Sequence, residues 1–184
     1  MDKKEVLLTL ARGAIAEAFG RKRLGKKAIL RAHPWLAKPG AAFVTLNRRE
    51  NGALRGCIGS LVAHQSLYED IVKNAQSAAS SDPRFPALRP EEFDKITVEV
   101  SILSEPKPLP YTSVDDLRSK IRPGVDGVIL KLGGYQATYL PQVWEQLPNF
   151  DAFFASLCQK AGLPGVCLSQ HPEILVYQVE EYHE

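Results

Sequence analysis

The run Leu54-Arg55-Gly56-Cys57-Ile58-Gly59-Ser60 sets a thiol between two glycines at the end of an apolar stretch. Without a Cβ, Gly56 and Gly59 let another group approach the backbone, and amide N–H groups near them are free to face an anion or a thiolate. On a regular strand Arg55 projects to the same face as Cys57, where its charge favours thiolate over thiol. His64 lies near the start of the next helical pattern, placed to serve as a base or proton shuttle if the turn folds it back. That set describes a nucleophilic or redox cysteine. The same residues also admit a plainer reading, with Cys57 a small buried hydrophobe and His64 a surface residue at a helix start.

Asp82-Pro83-Arg84-Phe85-Pro86 adds two more charged groups on a stiff loop, because its prolines fix φ and give Asp82 and Arg84 defined directions. Asp82 capping a turn while Phe85 plugs the core is the alternative. Glu99 falls in Ile96-Thr97-Val98-Glu99-Val100-Ser101-Ile102-Leu103, which alternates in the strand manner and turns Glu99 away from the apolar face. Cys158 and Cys167 stand in apolar or loop surroundings and read as structural. His33, Cys57, His64 and Asp82 have no ligand spacing, so no metal site is expected, and without a dinucleotide fingerprint the sequence names no cofactor.

The elements that must position these groups follow from periodicity. Residues 3–19 place Val6, Leu7, Leu10, Ala14, Ile15 and Ala18 at helical spacing, with Gly20 at a C-cap position. Residues 42–46 and 54–59 flank Asn51-Gly52 and predict a hairpin. Leu67, Ile71, Ala75 and Ala78 share a helical face, and Asp82-Pro83 ends that helix. After the strand at 96–103, a connector spaced by Pro106, Pro108 and Pro110 marks a lobe boundary near 104–112. A helix start follows at Ser113, then a second hairpin around Gly133-Gly134. A helix start at Pro141 precedes Trp144, a core residue by its setting. Last come a helix over 150–161 and one closing strand at 174–179. Two hairpins with helices segregated between them make the fold class α+β with mainly antiparallel sheet.

Composition sets the outer limits. The chain has 184 residues, 45% hydrophobic and 24% charged, enough to bury a core and unlike a disordered chain. No apolar run of membrane-spanning length occurs, and three cysteines without a CxxC pair support neither a disulfide framework nor a four-cysteine zinc site, so a reducing, cytoplasmic setting is expected. Residues 1–49 carry 12 Lys+Arg against 3 Asp+Glu, and the rest carries 11 against 18. Five of those cations lie within Arg21 to Lys27, a segment able to touch phosphate-bearing partners. A solvated loop after a helix, with Lys and Arg favoured near its C-terminus, explains it better, and no stacking aromatics interleave with the charges, so nucleic acid is not the expected partner.

Taken in order, Phe43-Val44-Thr45-Leu46, Leu54 to Gly59, Asp82 to Pro86, Glu99-Val100-Ser101 and Leu140-Pro141-Gln142-Val143-Trp144 resemble the AMMECR domain family, protein A of the AmmeMemoRadiSam system. The resemblance covers nearly the whole chain. It implies an α+β protein of two unequal lobes with the cysteine motif near a cleft, working in a pathway with a Memo-like protein and a radical SAM protein. Two readings follow. In the first, an enzyme uses Cys57 with His64 as base on a small substrate, with Arg55 stabilising negative charge and Asp82 or Glu99 orienting groups across the cleft, Arg84 being a further binding candidate. In the second, a binding or adaptor protein holds a small anionic metabolite with Arg55, Gly56 and Gly59 and delivers it to those partners.

Overall fold

A computed structural model describes residues 1–184 as two compact units, one of Met1–Leu103 with Glu180–Glu184 and one of Ser104–Val179. The fold is α+β, with two four-stranded antiparallel sheets.

In the first unit, α1 (Lys3–Glu17) starts on a capping box, the Asp2 carboxylate accepting the Glu5 amide and Glu5 reaching back to the Asp2 amide. The sheet runs β2 (Leu54–Gly59), β1 (Ala41–Arg48), β3 (Ile96–Leu103), β8 (Val179–His183). Its strands alternate as the sequence predicts. Ala42, Val44 and Leu46 of β1 and Val98 and Val100 of β3 join one apolar core with Leu7, Leu10 and Ile15 of α1 and Ile71 and Ala75 of α3 (Leu67–Ser80). The pleat therefore sends Phe43, Thr45, Thr97, Glu99 and Ser101 to the opposite face.

In the second unit, β4 (Lys107–Pro108), β7 (Glu173–Tyr177), β5 (Gly127–Leu132) and β6 (Tyr135–Tyr139) form the other sheet, beside α4 (Val114–Lys120), α5 (Val143–Gln146) and α6 (Phe150–Lys160). Ser113 caps α4 by accepting the Asp116 amide. Trp144 is a core residue, its ring stacked 3.6 Å from that of Phe153 and its indole N–H donated to the Asp126 carbonyl at 2.9 Å.

Three expectations are corrected. The single closing strand is two strands, because Gln178 separates a run that pairs with β5 from one that joins the first sheet beside β3. Lys26 and Lys27, read as the end of a basic loop, instead begin a short helix, α2 (Lys26–Ala32). Cys158 and Cys167 are bonded to each other, their Cα atoms 5.8 Å apart. An odd cysteine count excludes a complete set of pairs but not one pair, and the turn after α6 brings these two together inside the apolar core. No helix is long and apolar enough to cross a membrane.

Candidate functional site

The site grows from β2, an edge strand. Gly56 faces α3 so closely that a Cβ there would stand 2.2 Å from the Ala78 carbonyl oxygen, and one on Gly59 would fall 2.1 Å from the Phe43 ring. The close approaches that these glycines permit are therefore to the chain's own helix and to an aromatic ring, not to an open anion cradle. Gly56 is turned toward α3 and Cys57 pairs with Thr45, whereas Arg55 falls where the register with β1 shifts, so the regular alternation that would set it beside Cys57 is interrupted there.

Register then builds a polar row. Thr45 pairs with Cys57 on one side and Glu99 on the other. The Thr45 hydroxyl donates to Cys57 Sγ at 3.2 Å, and Ser101 Oγ donates to Glu99 at 3.3 Å. Beyond Glu99 lies β8, where His183 Nδ1 sits 3.1 Å from Glu99 Oε2 and Nε2 sits 3.6 Å from Glu181. Glu99, Glu181 and His183 bring their ligand atoms within 4.8 Å of one another, so they are the residues best placed to hold a cation. An imidazole lying between two carboxylates is also what an ordinary ion pair looks like.

The edge of β2 is closed by the Asp82 loop. Asp82, 4% exposed, accepts the Cys57 amide at 2.9 Å and the Arg84 amide at 3.0 Å, and takes Arg84 Nε and Nη2 at 3.0 and 2.7 Å. Arg84 Nη2 returns to the Cys57 carbonyl at 3.3 Å. The loop thus supplies the donor and acceptor that an edge strand otherwise leaves open. The hydrogen bonds from Arg84, helped by the Cys57 amide, hold the Asp82 carboxyl well below the usual carboxylate range.

Arg55 is 2% exposed and pairs with Glu92 in a forked contact, Nε and Nη2 at 3.0 and 3.1 Å. Those hydrogen bonds hold the Glu92 carboxyl at about 2. Arg55 Nη1 is buried and has no hydrogen-bond acceptor. The Phe85 ring lies 5.9 Å from the Arg55 guanidinium and 5.6 Å from that of Arg84.

This geometry changes the chemistry expected of Cys57. Burial pushes its thiol up, and neither the Thr45 hydroxyl nor the Arg84 charge reverses that. The cation that acts on Cys57 is Arg84, whereas Arg55 is paired with Glu92. His64 is exposed and sits 3.1 Å from the Val62 carbonyl oxygen, making no contact with Cys57, so no Cys-His pair is assembled. The structure brings together Arg55, Cys57, Asp82 and Arg84, with Glu99 two strands along, and leaves His64 out.

Sequence reasoning missed four contributors. Glu92 carries its signal only in three dimensions. His183 and Glu181 share a face of the alternating Val179-Glu180-Glu181-Tyr182-His183, a pattern that was there to be read. Asp70, fully buried on α3, accepts from the Ala42 amide, Asn74, Ser60 and Gln65 and ties the start of β1 to the end of β2. It falls beside the apolar stripe of α3, at a position that hydrophobic spacing assigns to the surface.

A sequence model of AMMECR1 matches residues 8–182. The chain belongs to the AMMECR1 family. It is 45% identical over 146 residues to a Methanothermobacter thermautotrophicus protein, covering 77% of this chain and 74% of that one, and 41% identical over 182 residues to a Thermococcus gammatolerans protein, covering 95% and 85%. The crystal structure of the uncharacterized protein PH0010 from Pyrococcus horikoshii superposes with a TM-score of 0.81 at 36% identity, covering all of this chain and 93% of that one. The AMMECR1 match includes the whole β2 motif, the Asp82 loop and Glu99.

Proposed function

We propose that this AMMECR1-family chain binds a small anionic metabolite at the face formed by Arg55, Cys57 and Arg84, and that holding or delivering this molecule is its function. The observation that carries the reading is Arg55 Nη1, a charged group buried with two N–H donors and no acceptor. A buried donor left unmade costs about 1–3 kcal/mol, and a carboxylate or phosphate oxygen satisfies it. Glu92 and Asp82 fix the two guanidiniums in place, with the Phe85 ring near both. Cys57, Thr45 and Glu99 offer a thiol, a hydroxyl and a carboxylate to the rest of the molecule, which suits a hydroxy- or amino-acid anion.

Delivery to a Memo-like protein and a radical SAM protein belongs to the same reading, and its support is the resemblance of the motifs. Catalysis by Cys57 is the weaker alternative, since burial opposes ionisation of the thiol and no histidine stands beside it. Equilibrium titration with inorganic phosphate and with lactate tests the choice. Cys57→Ala retains binding, whereas Arg55→Lys, which keeps the charge and loses the forked guanidinium, weakens it about tenfold. Equal loss in both variants contradicts the reading.

A further inference from the structure

The basic segment Arg21 to Lys27 remains outside that function, and most of it is engaged with the chain's own rings. Arg21 lies 4.8 Å from the centre of Phe93, Arg23 and Lys26 lie 5.6 and 5.7 Å from that of Tyr68, and Lys26 pairs with Glu69 at 2.5 Å. A nucleic-acid backbone finds no free stripe of cations there.

What the segment does form, with α1 and α2, is a groove of about 190 Å³. Val6, Leu10, Leu24 and Ile29 give it apolar walls, and Lys22 and Arg23 line it as well. Leu24 is 62% exposed and Met1, also lining the groove, 68%, so apolar surface is left open to water at this place. Arg23 Nε and Nη1 are buried without a hydrogen-bond acceptor, the Glu17 carboxylate lying 3.4 Å from Nη1. Lys22 has no ion-pair partner. The Arg23 stem crosses α1 at Gly13, where a Cβ would stand 3.2 Å from Arg23 Cγ. Two cations face one carboxylate, an excess of a single positive charge beside an apolar trough.

We infer that this groove binds a small amphiphilic carboxylate, an apolar chain ending in one negative charge. The chain covers Leu24, Val6 and Ile29, and the carboxylate supplies the acceptors that Arg23 lacks. Phosphate and nucleic acid fit less well, because they leave the walls exposed. The site is separate from the Arg55 face and stands or falls independently of it.

The test is titration of the full, ¹⁵N-labelled chain with octanoate, with acetate and 1-octanol compared under the same conditions. Octanoate is expected to give saturable amide shifts at Thr9, Gly13, Leu24 and Ile29, and to bind at least about tenfold more tightly than acetate or 1-octanol. Arg23→Met, which keeps an apolar stem, and Leu24→Glu, at an exposed position where folding is unaffected, each weaken octanoate about tenfold. Absence of saturation overturns the inference. So do shifts centred on Arg55 and Arg84, equal affinity for acetate, unchanged binding in both variants, or a concentration-dependent dimer that protects the same amides and excludes octanoate.

Discussion

Replacing Arg55 by methionine keeps an apolar stem in place and leaves Glu92 facing an uncharged group. Glu92 titrates at about 2 in the folded protein against an ordinary 4.5. Arg55 supplies the largest part of that shift and the Arg89 amide and guanidinium the rest, so at about 1.4 kcal/mol for each tenfold change in proton affinity the pair is worth at most about 3 kcal/mol at neutral pH. The side chains are 2% and 16% exposed, so solvent screens the pair little. Removing one partner of a buried pair costs about 3–5 kcal/mol in general, which agrees. Because the folded value of Glu92 is depressed, its contribution is fully present above about 4.5 and is lost as pH falls toward 2. Urea denaturation of wild type and Arg55→Met, followed by the fluorescence of Trp35 in the same unit, checks this. The variant loses up to about 3 kcal/mol at neutral pH, and the gap narrows in acid as Glu92 takes up a proton. A difference below about 1 kcal/mol, or one independent of pH, refutes the reasoning, since values that low belong to exposed pairs.

Other consequences are as direct. Gly56→Ala forces β2 and α3 apart at the Ala78 carbonyl and should cost at least about 1–3 kcal/mol in the same assay, with no such loss for Gly134→Ala, where a Cβ meets nothing. Alkylation of Cys57 should stay slow at neutral pH and accelerate only above about 8.5, the range of a free thiol, with Thr45→Val raising that threshold further. Native thiol counting should find one titratable cysteine, and reduction of the Cys158–Cys167 bond should lower the stability of the second unit by roughly 2–3 kcal/mol for a loop of this size, read from Trp144 fluorescence.

The α+β class and the strands carrying the site were legible because their signals are local. Asn51-Gly52 marks the hairpin that delivers β2, and the alternation from Ile96 to Leu103 turns Glu99 outward. The behaviour of Cys57 was not legible, since period-two spacing does not reveal the register shift at Arg55 or that Glu92, brought up on the turn at Pro90–Lys95, takes its charge. The glycines read as openings for a ligand because nothing local announces the Ala78 carbonyl or the Phe43 ring. His64 was credited with a fold-back that its turn does not make. His183 is carried to Glu99 by a strand change at Gln178, a long-range pairing that no window of sequence contains.

The most direct test of the account is to follow the guanidinium Nη–Hη resonances of Arg55 and the amide of Cys57 by NMR while titrating the intact chain with lactate and with inorganic phosphate. Anion binding at Arg55 gives a saturable shift of Arg55 Nη1, persistence of that shift in Cys57→Ala, and its loss in Arg55→Lys. Unmoved Arg55 resonances with both probes, together with an alkylation profile showing Cys57 ionised at neutral pH, would contradict it and return the site to nucleophilic chemistry.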